Sequence, residues 1–566
     1  MSALKNILLE LISILICGTA IGLLIAITAN GFIRIVAIAT EFRISLPWLE
    51  FTFNNQTYSL SSIVSLLLAA TIIALIRKWL DIKQWEGIAD TIYAAHRESP
   101  QINTKQGLGS TLSALVVISG GGSVGQYGPL VHFGSTLGLF IKNHFKLKMN
   151  PDIFIGCGVA AAISAGFNAP LAGILFAHEA VLRHFSLRAI APIFIASFSA
   201  SAFGEYFFGS AQTIFDLSQV VPPLNEILPI LILLGPIYAV IAVTFMTSLR
   251  AANKLAGNSG KYRPALPFIA ALICGSVGVM FPEVLGLGVE AINELIAGNF
   301  PVTKVSVLLL LKIGMTALCI GFGLFGGVFS PALFIGVSAG SLAASLFVLF
   351  GYTNLEQVIV ISGMAAVSAS VIGAPITSVL IVLELTGSYE YGVAAMVAVI
   401  ISSLVTYRLF GLSFFDRQLL DRGIDMRLGR ESIALSQRMV TTCVATPYVR
   451  VGPELSGDEA YRLMKDSGVV ESYVINESNE YLGKLDIFGA IGASANSIVD
   501  FLLPEPITLS EDDSLQTAMA KTVDFIGESI PILSVDKKSL TAVVSEGSIF
   551  QAVIDVQNTV SKIGRA

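Results

Sequence analysis

The stretch "SGGGSVGQYGPLVHFG", Ser119–Gly134, sets six glycines and a proline around one tyrosine, Tyr127, in a chain that is otherwise strongly apolar. Gly120, Gly122 and Gly125 satisfy G-x-G-x-x-G, but a dinucleotide turn belongs to a soluble βαβ unit with an acidic residue about 20 positions on. Here the following segment is membrane-apolar and position 145 is Phe145. A Walker loop needs Gly-Lys-Ser/Thr, and the stretch has no lysine. A third reading uses the backbone itself. Gly125 and Gly128 let successive amides turn inward with no Cβ in the way, Pro129 suits the first turn of a helix, and the free N–H groups of that turn carry partial positive charge. Such a terminus binds anions.

The arrangement occurs twice. "GQYGPLVHFG" (Gly125–Gly134) resembles "GVFSPALFIG" (Gly327–Gly336), with Pro129 over Pro331 and Tyr127 over Phe329. Downstream, "GVAAAISAGFNAPLAGILFAHE" (Gly158–Glu179) matches "GMAAVSASVIGAPITSVLIVLE" (Gly363–Glu384) without a gap, and Glu179 falls on Glu384. An internal duplication follows, with halves at about 57–210 and 227–410. Two helix N-termini can then converge on one dehydrated anion, with backbone N–H groups at Gln126–Gly128 and Val328–Ser330 as the cradle. No fixed cation is needed there, which lets the ion leave again.

The rest of the chain fits a membrane setting. Of its 566 residues 54% are hydrophobic and 13% charged, against about 25% charged in soluble domains, and mean hydropathy is +0.76. The formal net charge of -6 offers no basic surface for nucleic acid. The apolar run after Lys5 is far longer than the roughly 7–15 residues of a signal-peptide core, so it reads as a first transmembrane helix. Leu60–Leu80, Ile227–Leu249 and Val305–Phe325 are long enough to cross about 30 Å of hydrocarbon. Thr111–Val124, Leu130–Ile141, Ile153–Ala165 and Leu171–Leu182 are shorter and end at Gly/Pro breaks. Such breaks are tolerated at membrane depth only when buried or lining a cavity, and they mark transport sites. Cys17, Cys157, Cys274, Cys319 and Cys443 form no CxxC pair and read as small core residues. From about Ser436 the composition turns soluble, and two segments, Glu454–Ile491 and Thr508–Val553, repeat an order of turn, helix, strand, strand and helix.

These residues resemble the CLC family of chloride channels and proton/chloride exchangers. The family's three anion-site signatures are GSGIP, GREGP (or GKEGP) and GxFxP. The second corresponds to Gly125–Gln126–Tyr127–Gly128–Pro129 and the third to Gly327–Val328–Phe329–Ser330–Pro331. "GFNAPLAGILF" (Gly166–Phe176) and "GAPITSVLIVLELTG" (Gly373–Gly387) are also close to family sequence, and the tail resembles the paired CBS domains of many members. The resemblance implies an all-α polytopic membrane domain of two inverted repeats with broken helices at 1–430, then a cytosolic α/β CBS pair at 431–500 and 501–566. It further implies a homodimer with one anion pathway per subunit, in the plasma or bacterial inner membrane, with cytoplasmic termini. The partners expected are chloride or a similar anion, lipid and a second copy of the chain.

The departures from the family pattern carry the functional argument. Family exchangers have a glutamate in the middle of GREGP that plugs the pore and carries protons; here it is Tyr127. A phenol, with an ordinary pKa near about 10, stays neutral at pH 7 and cannot cycle a proton. The exchangers' second proton glutamate falls on Ala180, beside Glu179, and the family's pore tyrosine aligns with Phe415. The first signature falls at Trp85–Ala89, where Gly87 and Ile88 survive and Glu86 stands at the anion-coordinating serine. An ionised carboxylate there would repel the anion, so Glu86 is neutral, turned aside or itself a gate; a register error would leave it an ordinary interfacial residue. Tyr127 is expected as steric gate and hydrogen-bond donor and Phe329 as pore wall.

His132 reads as a hydrogen-bonded core histidine, with a proton relay as the alternative. His178 and Glu179 are intramembrane groups, a class often functional, although Glu179 and Glu384 at matching places suggest a shared structural role. Arg183, His184 and Arg188 read as interfacial snorkelling residues. CBS pairs that bind adenosine nucleotides hold the ribose with Ser/Thr-x-x-Asp. The corresponding places read Asp486–Ile487–Phe488–Gly489 and Ser545–Glu546–Gly547–Ser548, without the aspartate. No cofactor is expected, an adenine nucleotide at the CBS pair being the alternative. No catalytic triad, metal-ligand cluster or phosphate loop points to an enzyme. The leading expectation is a passive anion channel. The others are an exchanger in which Glu86 takes over the carboxylate work, and a non-conducting sensor plugged by Tyr127.

Overall fold

Apolar helices with no polar face have to be covered on every side by protein or lipid, and most of this chain consists of them. The computed structural model describes residues 2–45, 50–53, 56–97, 100–147, 149–209, 222–352 and 354–565. It divides into two units, 1–423 and 424–566. The expected end of the first half, residue 210, lies outside the described residues.

In the first unit α1 (Ser2–Ile44) is followed by a hairpin of β1 (Glu50–Phe53) and β2 (Gln56–Ser59). The first half continues through α2 (Ser61–Trp79), α3 (Ile88–His96), α4 (Thr104–Ser119), α5 (Tyr127–His144), α6 (Pro151–Phe167), α7 (Pro170–Phe176) and α8 (Leu187–Phe208). The second runs through α9 (Leu224–Gly257), α10 (Leu266–Met280), α11 (Val289–Ile296), α12 (Val302–Gly321), α13 (Phe329–Leu349), α14 (Glu356–Ile372), α15 (Pro375–Thr386), α16 (Tyr389–Leu409) and α17 (Phe414–Leu420). Among the described residues eight helices are long and apolar enough to cross a membrane. The shorter apolar helices fall in matching pairs, 151–167 with 356–372 and 170–182 with 375–386.

The duplication is visible in the packing. A Cβ on Gly158 of α6 would overlap the backbone of Gly134 on α5. In the second half, a Cβ on Gly363 of α14 would lie 2.8 Å from the Gly336 carbonyl of α13. Both crossings bring backbone onto backbone, the close approach that small residues permit between membrane helices.

Helices α7 and α15 are tied head to tail. The Glu179 carboxylate, just beyond α7, accepts the Ile376 and Thr377 N–H groups at 2.9 and 2.8 Å and the Thr377 hydroxyl at 2.7 Å. Glu384, near the end of α15, accepts the Leu171 and Ala172 N–H groups at 2.9 and 2.8 Å. Each helix therefore caps the other's N-terminus, where a carboxylate is favoured. Reciprocal capping requires the pair to run antiparallel, which is the inverted relation of the two halves at this point.

In the second unit α18 (Gly429–Gln437) precedes β3 (Val449–Val451), α19 (Gly457–Ser467), β4 (Glu471–Ile475), β5 (Tyr481–Asp486) and α20 (Ile487–Ala493). The order repeats as β6 (Leu509–Ser510), α21 (Leu515–Lys521), β7 (Ile530–Leu533), β8 (Leu540–Val544) and α22 (Glu546–Arg565). Each sheet has three strands, the first pair parallel and the second antiparallel. The leading strands β3 and β6 are too short to show as an apolar alternation. Residues 434–443 fall before the first sheet in sequence, yet Ala434, Leu435, Val440 and Cys443 pack into the core around β7 and α22. Residues 434–443, at the start of the span expected for the first module, thus pack with the second, which draws on both sides of the first. Between the modules a buried Lys484–Glu471 pair at 2.8 Å shares Ser529, whose carbonyl accepts from Lys484 at 2.7 Å and whose N–H donates to Glu471 at 2.9 Å.

Candidate anion pathway

The two glycine breaks meet. Gly125 N–H donates to Gly327 O and Gly327 N–H donates to Gly125 O, each at 2.7 Å, an antiparallel bridge between the halves. Two residues further along each strand of this bridge a helix begins, α5 at Tyr127 and α13 at Phe329. Only glycine fits the crossing: a Cβ on Gly327 would lie 2.9 Å from Gly128 N, and one on Gly128 would lie 3.0 Å from Gly327 Cα. The first-turn N–H groups of both helices have no intrahelical acceptor, so two positive helix ends share one locus.

A large cavity of about 330 Å³ reaches this locus from one side. Gly87, Ile88, Gly128, Val328 and Phe415 line it, bringing three of the expected site segments and the last helix together. Arg77, Lys83, Arg263 and Arg422 also line it, against Asp90 as its acid. Asp90 accepts from Arg422 at 2.6 Å, so the remaining balance favours anions. Reaching the same backbone from elsewhere is a small cavity of about 40 Å³ lined by Gln126, Tyr127, Ser330, Phe167, Leu287 and Val289, among others. Tyr127 faces this small cavity and is not part of the large one's wall.

An aromatic cluster closes the space around Tyr127. Its ring stacks on Phe167 with centroids 3.7 Å apart and meets Phe329 edge-on at 5.5 Å. Phe167 and Phe329 are 5.1 Å apart. A Cβ at Gly166 would lie 2.9 Å from the tyrosine ring, so the glycine makes room for it. Phe167 carries no motif in the sequence; only the tertiary fold places it on Tyr127.

Glu86 turns away from the large cavity. Its N–H donates to Ser110 Oγ at 3.0 Å, and its carboxylate lies 3.4 Å from His132 Nε2. His132 is fully buried, and its Nδ1 lies 2.9 Å from Thr91 Oγ1. The neighbouring Gly87 N–H donates to the Asp90 carboxylate at 2.8 Å, inside the cap of α3.

Arg183 and His184 depart from the snorkelling expectation. Arg183 pairs with Asp416 of α17, and His184 Nε2 lies 3.7 Å from Asp152. Their acidic partners are remote in sequence, so the reading from local composition missed them. Ser413 caps α17, accepting from Asp416 N–H at 3.2 Å and donating to its carboxylate at 2.8 Å. Arg183 therefore helps fix the helix that carries Phe415 into the large cavity. Lys312 was equally hard to place: its single sequence signal is a lone cation in an apolar run, the kind of residue that membrane energetics marks for attention.

The sequence profile of the family described as "Voltage gated chloride channel" matches residues 68–407. A protein of Vibrio parahaemolyticus named "H(+)/Cl(-) exchange transporter ClcA" is 28% identical over 326 residues, 56% of this chain and 68% of that protein. One of Ralstonia nicotianae, "Putative chloride channel protein ClcB-like", is 27% identical over 365 residues, 60% of this chain and 80% of its own length. The structure of a slow cyanobacterial Cl-/H+ antiporter superposes with a TM-score of 0.64 at 23% identity, covering 72% of this chain and 97% of that one. A eukaryotic CLC transporter gives 0.62 at 18% identity over 96% and 98% of the two chains. The chain belongs to the voltage-gated chloride channel family, and it is a multi-pass integral membrane protein.

Proposed function

We propose that this protein conducts chloride or a similar small monovalent anion passively, without coupled proton transport. The observation that carries the reading is the pair of helix N-termini joined at Gly125 and Gly327, with an aromatic-packed tyrosine at the centre. Backbone dipoles aimed at a dehydrated anion supply the binding energy. Tyr127 blocks the path sterically and, as a phenol, offers a hydrogen bond but does not ionise to carry a proton at neutral pH. The lining cations of the large cavity raise the local anion concentration. The acid in that lining, Asp90, is engaged by Arg422.

The deciding experiment is the reversal potential of the purified protein in bilayers under simultaneous chloride and proton gradients. It is expected to follow the chloride gradient and ignore the proton gradient. Proton movement at a fixed ratio to chloride would overturn passive conduction and favour an exchanger. The contact that favours such an exchanger is Glu86 with His132, a partly exposed carboxylate beside a buried imidazole. Glu86→Gln would then abolish proton movement while sparing chloride flux.

In this reading the tail is a CBS pair that stabilises a homodimer. Asp486 is spent capping α20, accepting the Gly489 N–H at 2.7 Å, and Ser545 accepts the Ser548 N–H at 3.1 Å. Both places, which lack the ribose-binding aspartate, thus serve as helix caps.

A further inference from the structure

Lys312 stands at the middle of α12 and is fully buried. Its Nζ donates to Val284 O at 2.9 Å and Gly286 O at 3.0 Å and lies 4.8 Å from the Phe334 ring centroid. Dipoles and a ring face therefore surround it, the other titratable groups facing it are the buried thiols of Cys274 and Cys319, and no carboxylate among the described residues pairs with it. Burying a cation without a counter-charge is costly, and an apolar side chain would pack there at less expense. The two carbonyls and the ring satisfy the geometry of its donors, but its net charge is left over.

The groups it holds belong to the candidate pathway. Val284 and Gly286 lie on the segment between α10 and α11 that next supplies Leu287 and Val289 to the small cavity. Gly286 is held from its other side, its N–H donating at 3.0 Å to the carbonyl of Gly121, in the glycine break that leads to Gly125. Gly288 presses on Phe334, where a Cβ would come within 2.8 Å of the ring. Phe334 itself follows Phe329 by five residues on α13, roughly 7.5 Å of helix rise. One ammonium thus joins the small cavity's wall, the first break and the helix that begins at the second.

We propose that Lys312 is a positioning residue of the anion pathway, which holds the Leu287–Val289 wall in place and gives the small cavity a positive charge whose counter-ion is the passing anion. The role rests on the reading of the chain as an anion pathway. It predicts that removing the charge weakens anion occupancy and leaves the path open.

The test is chloride flux from proteoliposomes as a function of chloride concentration, normalised to folded protein, for the wild type, Lys312→Met and Lys312→Arg. In Lys312→Met the half-saturating chloride is expected to rise roughly tenfold, the order that loss of one nearby buried charge gives. Maximal flux should stay within about twofold, and Lys312→Arg should return half-saturation to within about twofold of the wild type, since it keeps the charge. A purely structural lysine would change the yield of folded protein and leave half-saturation alone. Should Lys312→Met not fold, Lys312→Gln, which retains a donor for one carbonyl, is measured with the same expectation. An unmoved half-saturation in either neutral variant, or an arginine variant shifted as far as the neutral one, overturns the role of Lys312. A wild-type protein that passes no chloride overturns the anion-pathway reading, and this role with it.

Discussion

The two halves of the membrane unit carry the same backbone plan and different side chains. At the first break the helix opens with Tyr127-Gly128-Pro129, at the second with Phe329-Ser330-Pro331. The glycines that join the breaks, the prolines in the first turns and the glycine crossings behind them are shared. What differs is polar. The first half puts a phenol into the small cavity, whereas the second contributes a serine there and keeps its own ring, Phe329, fully buried against Phe167 and Tyr127. Duplication thus supplied two joined helix starts of one plan, and divergence at two positions gave them different side chains, which the proposed function reads as a gate and a wall.

The largest expected effect comes from the crossings. Gly158→Ala would force a methyl into the Gly134 backbone, with a cost of about 3 kcal/mol or more for overpacking that cannot relax through a flexible side chain. Gly363→Ala, whose Cβ would sit 2.8 Å from its neighbour's carbonyl, should cost less. The fraction of monodisperse protein and its melting temperature in detergent measure both. Equal losses would break the claim that the first crossing is the tighter.

Next come the gate and the wall. Tyr127→Ala is expected to raise anion flux at least several-fold by opening the ring cluster, while Phe329→Ala, which removes a fully buried side chain, should chiefly lower stability, by about 3–5 kcal/mol. Flux per folded protein separates the two, and a Phe329 variant that opens as widely as the tyrosine variant would erase the distinction. Tyr127→Glu should introduce acid-sensitive gating if the position lies in the path; an unchanged pH response would put the tyrosine outside it.

The smallest effect lies in the reciprocal caps. Glu179→Gln and Glu384→Gln each keep one neutral acceptor and set an amide NH2 against the other backbone N–H, at about 1–2 kcal/mol. Glu179 should lose more, since it also holds the Thr377 hydroxyl. Thermal unfolding of the two variants, with Thr377→Val as the third corner, checks the order.

Much of this was legible in one dimension. The gapless match of Gly158–Glu179 to Gly363–Glu384 announced the duplication, and the equal places of Glu179 and Glu384 suggested a structural role, which the caps now show. Glu86 was harder. Its position in the first signature pointed at the anion, but a side chain's direction depends on what stands opposite, and here that is His132 on α5. Arg183 looked like a lipid-facing cation because its partner, Asp416, is more than two hundred residues away. Phe167 carries no motif, and Lys312 shows only as a lone cation in an apolar run, because their partners lie on other elements of the fold.

The sequence by itself determined the membrane class, the broken helices, the internal repeat and the two helix starts with Tyr127 at one of them. Each follows from local chemistry: apolar length against bilayer thickness, glycine and proline at turns, and free N–H groups at a helix end. Only the tertiary structure decided that the two breaks bond to each other, that the phenol lies on Phe167, that Glu86 faces a histidine and that Lys312 donates to the Val284 and Gly286 carbonyls. Those are pairings between residues far apart in the chain, and the energy that selects them appears only once distant segments have been packed together.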